Sequence, residues 1–253
     1  MGIVNATPDS FSDGGDAFEP NDAIARGLRQ MRDAADIIDV GGESTRPGAI
    51  PVDPDEEIRR VLPVVTALAN AGAVVSIDTR HAAVMAAAVE AGAKIINDVT
   101  ALDGDAGSLA VAADSGADIV LMHMPGTPQT MRAHARYEDV VEEVFAYLGR
   151  RIALCEAAGI ARARLAIDPG FGFGKMAADN ERLLASLHRF TELGCPILVG
   201  LSRKFGKGKP PKERLAESLE KARQAVALGA NIVRVHDVAE TVAAFGTKAR
   251  QVR

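Results

Sequence analysis

Val74-Val75-Ser76-Ile77-Asp78, then the helical stretch Ala82–Ala91, then Ala93-Lys94-Ile95-Ile96-Asn97-Asp98 is the segment whose reading decides the fold. A short β-branched run ends on a carboxylate, an alanine-rich segment with helical spacing follows, and a second β-branched run ends on Asn-Asp. Two such runs joined by a helix read as neighbouring parallel strands, because parallel pairing needs a crossover. The same unit recurs in both directions along the chain. Apolar runs stand at Ile3-Val4, Ile37–Val40, Val74–Ile77, Ile95-Ile96, Ile119–Met122, Leu165–Ile167, Ile197–Val199 and Ile232–Val235, which makes eight. Helical patterns lie between them at Asp55–Ala71, Ala82–Ala91, Tyr137–Ala158, Asp179–Leu193 and Lys212–Leu228. Eight strand–helix units in 253 residues predict an α/β fold, a (β/α)8 barrel of parallel strands forming one domain over 1–253. An open doubly wound sheet is the competing arrangement. Ala-Gly or Gly-Ala steps at Gly72, Gly92, Gly116 and Gly229 read as left-handed helix stops, with no chemical role.

Composition narrows the class. With 29 Lys+Arg against 34 Asp+Glu the net charge is −5, with 47% hydrophobic and 25% charged residues, the balance of a well-cored globule. No basic block and a 4% aromatic content argue against nucleic acid as a partner. No apolar run is long enough for a membrane span. The polar opening Met1–Ser10 does not read as a secretory leader, so the expected location is cytoplasmic. Cys155 and Cys195 are too few for a disulfide framework and read as packing thiols.

Each apolar run gives way to polar residues: Asn5, then Asp39 and Gly41–Arg46, Asp78, Asn97-Asp98, His123, Asp168, Ser202–Lys204, and Arg234 with His236-Asp237. In a barrel these positions meet on one rim, where active sites of this fold sit. Asp78, Asn97 and Asp168 would offer acceptors there, with Lys204 and Arg234 opposite. Paired carboxylates suit a metal, a glycoside, or a heterocycle presenting adjacent N–H donors, which a carboxylate accepts in parallel. Arg46, Lys204, Arg234 and His236 suit an anion such as phosphate. Asn5 could ligate Mg²⁺, which takes few protein oxygens beside phosphate. His123 reads as a packed residue, and His81, His134 and His188 as surface residues.

Met1–Gly15 (MGIVNATPDSFSDGG) and Asp39–Gly48 (DVGGESTRPG) resemble the two signature motifs of the dihydropteroate synthase family. The likeness continues through Ser76–Thr79, Ile95–Asp98, Leu121–Met124, Asp168–Lys175 (DPGFGFGK), Ser202–Lys204 and Arg234–Asp237. It spans nearly the whole chain, in order, one motif per strand. The resemblance implies a (β/α)8 transferase of folate synthesis that joins 6-hydroxymethyl-7,8-dihydropterin pyrophosphate to p-aminobenzoate and releases pyrophosphate. It implies that Asp78, Asn97, Met122, Asp168 and Lys204 bind the pterin. Phe11, Thr45, Arg46, Pro47, Phe173, Ser202 and Lys204 would form the p-aminobenzoate site, and Asn5, Arg46, Arg234 and His236 the pyrophosphate site. Asp78, Asp168, Lys204, Arg234 and His236 would carry the catalysis, with Mg²⁺ on Asn5 and sulfonamides as inhibitors. A folate-dependent methyltransferase domain would share the Asp/Asn set but has no need of Thr45–Pro47 or Ser202–Lys204. A non-catalytic pterin-binding barrel would not need Asn5, Lys204, Arg234 and His236 intact.

Two stretches depart from the family pattern. Phe205–Pro211 is glycine-rich and basic where an apolar stretch is usual. The helix that follows carries Glu217, Glu220, Lys221, Arg223 and Gln224. Its Leu215, Leu219, Ala222 and Val226 are expected to form the buried stripe. A face so charged predicts a monomer or a weak dimer instead of the family's homodimer.

Overall fold

In a computed structural model of the chain, residues 1–7, 20–46, 48–202, 204 and 213–246 are described. Among the described residues eight strands alternate with eight α-helices: β1 (Gly2–Asn5), α1 (Pro20–Arg32), β2 (Ile38–Gly41), α2 (Pro54–Asn70), β3 (Val75–Asp78), α3 (Ala82–Glu90), β4 (Ile95–Asp98), α4 (Ser108–Ser115), β5 (Asp118–Met122), α5 (Val140–Ala157), β6 (Leu165–Asp168), α6 (Ala177–Ala185), β7 (Leu198–Val199), α7 (Leu215–Ala227), β8 (Ile232–Val233) and α8 (Val238–Phe245). Strands β1 to β6 pair in sequence order, all parallel, and β7 pairs with β8. Bridges at Ile167–Ile197 and Gly2–Val235 join the two sheets on both sides, closing the barrel. The Ile3 N–H donates to the Val235 carbonyl at 3.0 Å, and the Val235 N–H to the Met1 carbonyl at 2.9 Å.

Period-2 alternation sorts the strand side chains. Val4, Val40, Ile77, Ile96, Leu121 and Ile167 join the large core between barrel and helices. Ile95, Val120 and Leu198, with Ala166 and Ile232 against them, form a separate cluster that fills the barrel. The alternation that buries aliphatic residues on both faces of a parallel strand also decides which strand-end residues face the cavity.

The helices begin where the sequence supplies acceptors. Asp53 accepts the Asp55 N–H and Pro54 opens α2, and Asp139 accepts from Val141 and Glu142 at the start of α5. Both arrangements satisfy otherwise unpaired first-turn donors. Gly72, Gly92, Gly116 and Gly229 all have positive φ, as read from the sequence. The expected helix at Asp179–Leu193 is instead α6 followed by a 3-10 turn, Leu187–Leu193. The sequence reading of α7 also needs correcting. Ser218, Ala222 and Ala225 are its buried residues, whereas Val226 is 41% exposed. The helix is therefore turned so that an apolar residue stands among its outward charges, which removes part of the premise for a weak dimer. Among the described residues no helix is long and apolar enough to cross a membrane.

Candidate functional site

Strand register sets the rim. Asn5 is level with Gly41, Gly41 with Asp78, and Asp78 with Asn97. Met122 is level with Asp168. Two residues below Gly41 on the same side of β2 stands Asp39, fully buried. A buried carboxylate is costly unless a partner answers it. Arg234 supplies the cation: its Nε donates to Asp39 Oδ2 and its Nη2 to Asp78 Oδ2, both at 2.6 Å. The Asn97 amide also donates to Asp39, at 3.2 Å.

One guanidinium thus serves two carboxylates. Burial works against the charge on Arg234, but Asp39 and Asp78 outweigh it and raise its pKa. Burial, together with the Asp39 charge, pushes the Asp78 carboxyl up to about 7 despite its contact with Arg234. Its second oxygen, Oδ1, is buried and has no hydrogen-bond partner. The cavity therefore holds acceptor capacity that the protein does not use.

Across the rim the organising groups are backbone atoms. Asp168 is buried, and its Oδ1 accepts the Gly170 N–H at 2.7 Å. Burial raises its pKa, against the pull of Lys204, the Gly170 N–H, Lys175 and Arg234. Lys204 Nζ donates to the Phe171 carbonyl at 2.5 Å and lies 4.5 Å from the centre of the Phe173 ring. Burial lowers its pKa to about 8, with Asp168 and Asp78 opposing. Its side chain nonetheless reaches solvent at the mouth, and water there limits the depression. Met122 and Phe173 belong to one apolar cluster with Val99, Met124 and Met131, a flat-sided wall beside the carboxylates. Ser202 Oγ lies 3.1 Å from His236 Nδ1 and accepts the His236 N–H at 3.3 Å.

The residues that the structure brings together are therefore Asp78, Asn97, Asp168, Met122, Phe173, Lys204 and Arg234, with Ser202 and His236 paired beside them. Thr45 and Arg46 occupy the loop after β2, where Arg46 is exposed. Among the described residues no hydrogen bond ties either side chain to the cavity. Phe11 and Pro47 lie outside the described residues. The loop after β2 rests on the loop after β5, since the Gly48 N–H donates to the Pro128 carbonyl at 3.2 Å and Gln129 Nε2 to that of Ala49 at 2.9 Å.

His81 is not the surface residue its sequence context suggests. Its Nδ1 lies 2.7 Å from Glu57 Oε2, a fully buried carboxylate of α2, and that contact raises its pKa. Glu43, Glu57 and His81 come close enough to hold a metal ion. Arg80, however, takes Glu43 in a fork at 2.9 and 3.0 Å, so the charges there are already matched. His123 is buried as expected, and burial keeps it neutral, with its pKa pushed down to about 2.

Glu57 and Lys175 escape the sequence reading, and Asp39, placed there at a strand end, is given no partner or role. An acid within the apolar run Ile37–Val40 was the available signal for Asp39, because buried acids are rare unless paired. Glu57 sits in an acidic helix start and gives no such signal.

Comparison with known proteins agrees with this geometry. A family model for pterin binding enzymes matches residues 1–236. The dihydropteroate synthase of Escherichia coli K12 is 49% identical over 250 residues, 97% of this chain and 88% of that protein. Among solved structures, the Xanthomonas albilineans dihydropteroate synthase with 4-aminobenzoic acid is 50% identical over 96% of this chain and 89% of its own, with a TM-score of 0.90. The Yersinia pestis dihydropteroate synthase in complex with a sulfonamide drug is 45% identical over 96% of this chain and 90% of its own, with a TM-score of 0.91.

Proposed function

Because the chain belongs to the dihydropteroate synthases of the pterin-binding enzyme family, we propose that the Asp39–Asp78–Asn97–Arg234 cluster and the turn after β6 divide the work of that reaction between them. The reaction joins 6-hydroxymethyl-7,8-dihydropterin pyrophosphate to p-aminobenzoate, giving dihydropteroate and pyrophosphate. The observation that carries the assignment is the unpaired, buried Oδ1 of Asp78, in a cluster where two carboxylates share one cation. A pterin edge presents adjacent N–H and NH₂ donors. Such an edge fits Asp78 and Asp168 as acceptors and Asn97 as a mixed partner, with Met122 against its face.

Chemistry then follows from charge. Leaving pyrophosphate builds negative charge at the pterin methylene's former oxygen. Arg234, whose Nη1 makes no hydrogen bond among the described residues, and His236 can meet that charge without reorganising. The fixed charge of Asp78 and Asp168 favours the electron-poor pterin left behind. The aniline nitrogen attacks as a neutral nucleophile and needs no strong base. Phe173 and Lys204 form the wall on which p-aminobenzoate, or a sulfonamide in its place, rests, with Ser202 near its carboxylate end. Thr45, Arg46, Pro47 and Phe11 would complete that pocket from the loops.

Asn5 ends β1 in the same level as Asp78, and its amide makes no side-chain hydrogen bond among the described residues. A single neutral oxygen fits Mg²⁺, which keeps most of its ligands from water and phosphate. Held there, Mg²⁺ would neutralise pyrophosphate charge.

Incubation with the pterin pyrophosphate, p-aminobenzoate and Mg²⁺ tests the assignment. Pyrophosphate release that needs both substrates, and that Asp78→Asn abolishes, is the expected result. An Asp78→Asn enzyme with unchanged turnover would remove Asp78 from the site.

A further inference from the structure

Lys175 closes the DPGFGFGK motif, yet the chemistry above gives it no role. It is buried, and its ammonium lies within reach of four acceptors: His123 Nδ1 at 2.9 Å, the Gly170 carbonyl at 3.0 Å, the Phe173 carbonyl at 3.1 Å and the His123 carbonyl at 3.2 Å. An ammonium has three protons, so this cage is saturated from the protein alone. A buried cation without such a cage would be prohibitive.

The placement of the carbonyls is informative. Gly170 and Phe173 turn theirs inward to Lys175, while Phe171, between them, turns its carbonyl outward to Lys204. The turn is held by one lysine from beneath and another from the mouth. A second brace comes from the Tyr137 hydroxyl, which donates to the Gly174 carbonyl at 2.9 Å. Gly170 is at φ +72°, and a Cβ there would lie 2.0 Å from the His123 carbonyl oxygen, so the backbone cannot close onto Lys175 with any other residue.

We infer that Lys175 is a positioning residue for the aniline half of the site: by drawing two carbonyls inward it presents the Phe173 ring and the Phe171 carbonyl that hold Lys204. Asp168 and Asp179 favour its charge, Lys204 opposes it, and burial lowers its pKa to about 7. His123, kept neutral, accepts from the ammonium and does not compete with it. The inference rests on the synthase reading, and the wild-type enzyme's own turnover in the same assay separates failure of that reading from failure of this one.

The test is a split between the two substrates in Lys175→Met, Lys175→Arg and His123→Leu. In Lys175→Met, KM for p-aminobenzoate is expected to rise ~tenfold or more, the equivalent of one or two lost hydrogen bonds to charge. The pterin dissociation constant, set by Asp78, Asn97 and Asp168, of which only Asp168 touches this turn through the Gly170 N–H, should change less than about threefold, below the cost of one such bond. Lys175→Arg, which keeps a cation and donors, should recover part of the loss. A folded Lys175→Met enzyme with unchanged KM, or with both substrates weakened equally, overturns the proposal. If Lys175→Met does not fold, His123→Leu decides. It takes away the shortest of the four contacts and the only one from a side chain, so that the ammonium and the carbonyls it holds shift; the p-aminobenzoate KM alone should rise, and an unchanged KM overturns the proposal.

Discussion

The two sides of the barrel mouth are built on different principles. At β2, β3, β4 and just past β8, side chain answers side chain: Arg234 forks between Asp39 and Asp78, and Asn97 adds a donor to Asp39. At the turn after β6, side chains answer backbone: Lys175 and Lys204 take three carbonyls of one short loop, and Asp168 takes an N–H. The first side fixes charge, leaving one carboxylate oxygen for a ligand. The second fixes shape, holding Phe173 and Lys204 where a flat aniline can rest. The first half suits the pterin and the Phe173–Lys204 wall of the second suits the aniline, with Asp168 standing where the two meet.

That contrast can be broken from either side. The largest effect is expected from Arg234→Met, which strands a fully buried Asp39 without its cation. Loss of one member of a buried pair costs about 3–5 kcal/mol, so denaturant unfolding should show a loss of that order and turnover should vanish. Gly170→Ala comes next. The new Cβ would strike backbone, not a mobile side chain, and holding a non-glycine residue in that conformation costs about 1–3 kcal/mol before the clash. Its melting temperature should fall, and p-aminobenzoate binding should suffer more than pterin binding. A variant as stable as wild type would contradict the account of the turn. Asp168→Asn is smaller. The Gly170 N–H keeps its acceptor, but the new amide faces the pterin as donor against donor, costing about 1–3 kcal/mol, roughly tenfold to a hundredfold in affinity. Calorimetry with a pterin analogue reads it directly.

Much of this was legible before the structure. The eight β-branched runs fix the barrel because parallel pairing demands crossovers, and period-2 alternation turns Asp78 and Asn97 to the interior. The polar residue closing each run is enough to assemble Asp78, Asn97, Asp168, Lys204 and Arg234 on one rim. What could not be read was the partnering. Arg234 reads as a phosphate ligand, whereas Asp39 and Asp78 occupy its Nε and Nη2, since a contact across 195 residues leaves no local trace. His81 reads as exposed because its partner, Glu57, lies in another helix. Lys175 reads as one more residue of a glycine-rich motif because its acceptors are carbonyls, which every residue carries. Val226 fits the spacing of a buried stripe on α7, but the small residues Ser218, Ala222 and Ala225 allow the closer approach and take the inner face.

Asp78 sits in a cluster one cation short, and ligand binding draws off its proton and leaves it a carboxylate. A carboxyl held at about 7 is mostly protonated at pH 6, against an ordinary value near 4. With its folded pKa raised, the free protein binds more protons than the unfolded chain between those values, so its stability falls as pH rises through that window. A pterin edge donating to Asp78 favours the carboxylate, so binding should tighten with rising pH and release a proton. Calorimetry of 6-hydroxymethylpterin at pH 6, in two buffers of different ionisation enthalpy, counts that proton. The expected count is close to one in the wild-type protein and close to none in Asp78→Asn. Equal counts in the two proteins, or binding that weakens as pH rises from 5 to 8, would contradict the claim.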